Sequence, residues 1–65
     1  MNNDKIFRAK LFEIVNQDKS SKIIIKDILN CMFYFVISNI TDNNKSEKLR
    51  HSYLNFYRAV EDVNL

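Results

Sequence analysis

The chain has 65 residues and a formal charge of +2, from ten basic and eight acidic side chains. A chain of that length makes one domain at most and buries only ~60% of its unfolded surface, near the lower limit of independent stability. A charge so close to balance requires neither a nucleic acid nor a membrane as partner.

What the composition lacks is equally restrictive. Cys31 is the only cysteine and His51 the only histidine, so neither an intrachain disulfide nor a four-ligand zinc site can form. Glycine and proline are absent, which excludes a P-loop or a dinucleotide fingerprint. Tight β-hairpins lean on residues that accept positive φ, so helices joined by Asn, Asp and Ser turns are expected instead. Hydrophobic residues make up 46% of the chain and aromatics 12%, too much apolar material for a disordered segment. With disulfide and metal closed off, self-association or a partner is the expected source of extra stability. The opening residues MNNDKIFRAK lack the basic, apolar, small-residue order of an export signal. Together with a free cysteine, that points to a reducing cytoplasm.

The first helical pattern runs from about residue 3 to 16. Phe7, Leu11, Ile14 and Val15 recur at helical spacing and define one face. Asn2 or Asn3 can cap it, and Asp4 complements the helix dipole in the first turn. Ile6 and Phe12 flank the stripe and widen it. The polar QDKSS segment, residues 17–21, follows as a linker, with Ser21 or Ser20 as the next N-cap.

The second pattern, about residues 22–40, contains the apolar centre of the chain, IIIKDILNCMFYFVISNI. Ile25, Leu29, Met32 and Val36 make a stripe at spacings of four, three and four, and Ile28, Phe33, Phe35 and Ile37 widen it on both sides. Only Lys26, Asp27, Asn30 and Ser38 look made for water. A helix apolar nearly all round is a buried helix. A membrane span is the weaker reading, because Lys26 and Asp27 would each cost up to ~3 kcal/mol near a bilayer centre. A strand over MFYFVI fits the β-branched and aromatic content, but the other segments read as helices and offer it no partner.

The TDNN segment, residues 41–44, supplies turn chemistry without glycine, and Asn44 with Glu47 has capping-box spacing. The third pattern, about residues 45–63, is the most amphipathic. Leu49, Tyr53, Phe56, Val60 and Val63 form a heptad seam two repeats long, with Tyr57 beside it. Such a seam packs lengthwise along a neighbouring helix. The expected architecture is therefore all-α: a three-helix bundle with a central apolar helix, completed by homodimerisation.

Catalytic chemistry finds no foothold in these residues, and no cofactor or metal is expected. His51 stands between Glu47 and Asn55 at one-turn spacing, an ordinary solvated arrangement on a helix face. Cys31 lies among Met32, Phe33 and Phe35, where a cysteine acts as a small hydrophobe rather than a reactive thiol. Two binding surfaces are expected in place of an active site. Phe33, Tyr34, Val36, Ile37, Tyr53 and Tyr57 present more aromatic and apolar surface than three short helices can enclose, which marks an association site. Lys19, Lys22, Lys26, Lys45, Lys48 and Arg50 form two basic clusters at helix starts that suit phosphates, although acidic residues are interleaved with them. The expected function is that of a small non-enzymatic helical regulator or adaptor acting through protein–protein contact, in the manner of an antagonist, modulator or chaperone. The alternative is a dimeric nucleic-acid-binding transcriptional regulator held by phosphate-backbone contacts.

One short resemblance accompanies this reading. Phe56-Tyr57-Arg58-Ala59-Val60-Glu61 is similar to the F-Y-x-A-A-D stretch of the small haemolysin-expression-modulating proteins, and Asp4-Lys5-Ile6-Phe7-Arg8 resembles their opening. Those proteins are helical modulators that bind a nucleoid protein, so the resemblance implies action through a protein partner. The two stretches lie further apart here than in that family, and its last helix has no counterpart.

Overall fold

Three helices follow one another in the computed structural model, which describes residues 3–64: α1 (Asn3–Val15), α2 (Ser21–Ile37) and α3 (Asn43–Asp62). No strand occurs among the described residues, and MFYFVI lies within α2 or ends it.

Local polar side chains decide where each helix begins and ends. Asn3 opens α1, with Asp4 in its first turn, while Asn2 lies outside the described residues. Asn16 follows the last turn of α1 and donates from Nδ2 to the Phe12 carbonyl at 2.8 Å. Ser20 caps α2, its Oγ accepting from the Ile23 amide at 3.4 Å. The α2 pattern extends in sequence to Ile40, yet the helix stops at Ile37. Ser38 Oγ and Asn39 Nδ2 each donate to the Phe35 carbonyl at 2.8 Å. Side-chain bonds of this kind satisfy a terminal carbonyl without a further helical turn. At α3 the cap is Asp42, whose carboxylate accepts from the Asn44 amide at 2.8 Å. The helix therefore starts before the Asn44–Glu47 pair, and Asn44 is a residue being capped rather than the cap.

The helices lie side by side and antiparallel in sequence order. α1 packs on one flank of α2 and α3 on the other, and among the described residues α1 and α3 do not touch. Phe7 of α1 stacks on Phe35 of α2, with ring centroids 4.3 Å apart. On the opposite flank, Phe33 of α2 stacks on Tyr53 of α3 at 4.4 Å. The Cα atoms span 35 × 32 × 7 Å, so the chain forms a single layer one helix thick.

A single layer encloses almost nothing. Val60, 8% exposed, is the sole described residue that counts as buried. It lies on the side of α3 that meets α2, whereas Phe56 and Val63 of the same heptad seam remain about half exposed. The seam is thus divided: Tyr53 and Val60 serve the α2 contact, and Phe56 and Val63 lie outside it.

Candidate functional site: the two faces of a helical layer

A helix turns about 100° per residue, so side chains four apart share a side and those two apart diverge. Met32 and Val36 therefore project on one side of the layer, and Tyr34 and Ser38 on roughly the opposite side. Each side carries a groove.

On the Met32 side, a groove of about 250 Å³ runs between α2 and α3. Leu29, Met32 and Val36 line it from α2, and Leu49, Ser52 and Phe56 from α3, with the stacked Phe33–Tyr53 pair at its margin. None of these side chains carries a charge at neutral pH. Met32 is 46% exposed, Val36 43% and Phe56 56%, so the groove opens broadly to solvent. Burial holds the Tyr53 hydroxyl above its ordinary pKa of 10.0, reinforced by the neighbouring Tyr57 and Tyr34.

On the Tyr34 side, a wider groove of about 690 Å³ lies between α1 and α2. Its apolar floor comes from Ile6, Phe7, Ile14 and Phe35, while Lys10 and Glu13 bring both signs of charge to its α1 wall. Tyr34 stands up from α2 with 65% of its surface exposed, its ring edge against Phe33 at 5.5 Å. Cys31, a partly buried free thiol, also lines this groove.

The six aromatic and apolar candidates are therefore dispersed. Phe33 and Tyr53 are spent on each other between α2 and α3. Tyr57 sits beside Tyr53 at 5.7 Å and under the Lys26 ammonium, 5.0 Å from its ring centre. Ile37 ends α2 in a half-buried position. Tyr34 and Val36 stay exposed, on opposite sides of the layer. Sequence reasoning passed over Met32 and Phe56 as open surface because both belong to stripes that read as core. The missing signal is the position of the third helix, since α1 and α3 take opposite flanks of α2 and leave those stripes uncovered.

The basic residues divide in the same way. Lys22 donates to the carbonyls of Glu61 and, at 2.9 Å, of Val63, closing the carboxyl end of α3. Lys26 pairs with the Glu61 carboxylate at 3.2 Å, and that bond, against some desolvation, raises its pKa above 10.5. Lys19 approaches Asp27 at 3.9 Å. Lys45, Lys48 and Arg50 are exposed on α3. Two residues apart, Lys48 and Arg50 point to opposing sides of that helix and do not form one phosphate track. His51 is likewise exposed.

Compared with protein families, curated proteins and solved structures, the chain matches none. The Phe56–Glu61 stretch is here an ordinary piece of α3: Phe56 lines the apolar groove, Tyr57 lies under Lys26, and Val60 is buried. Among the described residues no group of three or more His, Cys, Asp or Glu side chains is placed to hold a metal ion. No helix among them is long and apolar enough to cross a membrane.

Proposed function

We propose that this protein is a non-enzymatic helical regulator or adaptor that works by protein–protein contact and completes its core by homodimerisation. The observation that carries the reading is surface in excess of what a closed fold leaves. General scaling gives a folded monomer of 7.8 kDa about 4,400 Å² of accessible surface, whereas this chain exposes 5334 Å². The surplus, roughly 900 Å², is close to the ~800 Å² that each partner buries in a standard interface. The radius of gyration agrees: 13.1 Å against the ~10.7 Å of a compact chain of this length. Apolar surface that cannot be folded inward is stabilised by covering it with another chain.

The nucleic-acid alternative is less well supported, because Lys19, Lys22 and Lys26 are engaged within the chain. Light scattering at tens to hundreds of micromolar, with circular dichroism alongside, tests the proposal. The expected result is a strongly helical species of twice 7.8 kDa. A helical monomer throughout that range overturns the self-association. Retention on duplex DNA at low salt, lost steeply as salt rises, would favour the phosphate-binding alternative.

A further inference from the structure

We infer that the second copy of the chain sits on the α2/α3 side of the layer, over Met32, Val36 and Phe56, and leaves the α1/α2 groove free. This rests on the self-association proposed above and assigns it to one of two available surfaces.

Three observations select that side. The first is charge. A two-fold dimer buries the same patch on both copies, so any charge in that patch is desolvated twice unless it is paired and hydrogen-bonded across the axis. The α2/α3 groove is lined by apolar side chains with Ser52 and the neutral Tyr53, whereas the α1/α2 groove carries Lys10 and Glu13 on its wall. The second is exposure. Met32, Val36 and Phe56, apolar side chains lining one groove, are 43–56% open to water. The α1/α2 groove exposes one comparable apolar side chain, Ile6 at 43%, beside Tyr34, whose hydroxyl water satisfies. The third is shape. Leu49 and Phe56 stand seven residues apart on α3, and Leu29 and Val36 do the same on α2. Two such ridges flanking a shallow groove allow an antiparallel copy to lay its own ridges between them.

A neutral apolar centre with a polar rim also describes how stable interfaces are built. Covering this side converts the layer into two stacked helical layers with Met32 and Val36 at the centre. The mixed-charge groove beside Tyr34 would then face solvent on both outer surfaces of the dimer.

Single lysine substitutions on each side, weighed by light scattering with circular dichroism, provide the test. Val36→Lys and Phe56→Lys are expected to leave a species of one chain mass, while Tyr34→Lys and Ile6→Lys leave the dimer intact. Dimeric Val36→Lys or Phe56→Lys protein, or dissociation by Tyr34→Lys, overturns the assignment while leaving self-association standing. A monomeric wild type removes both.

Because the monomer of a charged variant is prone to unfold, Met32 offers a readout in the unaltered chain. Peroxide converts exposed methionine to the sulfoxide. At concentrations where the wild type is dimeric, a covered Met32 is expected to oxidise at least ~10-fold more slowly than in the urea-unfolded chain. A Met32 left 46% exposed would oxidise within a few-fold of the unfolded chain, and any slowing short of that tenfold mark places the second copy elsewhere.

Discussion

At the scale of single residues, the α3 cap is Asp42 rather than the Asn44 expected from capping-box spacing. Asp42 accepts the Asn44 amide through its carboxylate, while the Asn44 side chain has no part in that bond. Loss of an N-cap acceptor costs about 0.5–2 kcal/mol. Asp42→Ala is therefore expected to destabilise the fold by about 1 kcal/mol in urea denaturation, and Asn44→Ala by no more than a few tenths. Equal losses would restore Asn44 as the capping residue. A second prediction concerns the titratable pair on the α2/α3 seam. Tyr53 has its pKa raised above 10.0 by burial and by its tyrosine neighbours, and Lys26 has its own raised above 10.5 by the Glu61 carboxylate. Both groups therefore hold their protons more tightly folded than unfolded. Their contribution is fully present below pH 10 and is lost as pH climbs through the raised values. Helical circular dichroism is expected to decline above about pH 10. Tyr53→Phe keeps the ring against Phe33 but removes the earlier part of that decline. A pH profile unchanged by Tyr53→Phe would mean that Tyr53 is not the group being titrated.

At the scale of elements, the three helices were legible because apolar spacing near 3.6 residues depends only on which residues stand in order along the chain. Their ends were less so. α2 stops at Ile37 because Ser38 and Asn39 both turn back to the Phe35 carbonyl. Hydropathy carries no trace of a competition between two side chains and the next helical turn. The pairing of elements rests on aromatic stacks, and these make α1 separable from the rest. Among the described residues α1 and α3 each pack only on α2: α1 stacks Phe7 on Phe35, and α3 is joined by Phe33–Tyr53 together with the Lys22 and Lys26 bonds. Truncating a fully buried phenylalanine costs about 3–5 kcal/mol. Phe35 is only partly buried, so Phe35→Ala is expected to cost about 2 kcal/mol. The loss should also be local. Amide hydrogen exchange would show α1 losing protection while α2 and α3 retain theirs. Uniform loss across all three helices would mean that the layer opens as one unit.

At the scale of the whole molecule, periodicity assigns residues to a face but does not say which neighbour that face meets. Leu49, Tyr53, Phe56, Val60 and Val63 form one seam in the sequence, and the structure gives that seam two fates. Tyr53 and Val60 meet α2, and Phe56 and Val63 are left to water. Had α1 crossed over α2 to lie on α3, the same seam would have been wholly internal. The flat arrangement has a thermodynamic consequence that a closed bundle lacks. If the layer folds only against a second copy, unfolding releases two chains, and stability depends on concentration. Hundredfold dilution then removes about 2.7 kcal/mol per dimer. Two chains of 65 residues carry an unfolding entropy near 0.27 kcal/mol/K, so the thermal midpoint is expected to fall by roughly 10 °C over that dilution. A self-sufficient monomer unfolds at the same temperature at every concentration. Helical melts recorded across two decades of protein concentration distinguish these cases, and a constant midpoint would mean that the exposed faces are not what holds the fold together.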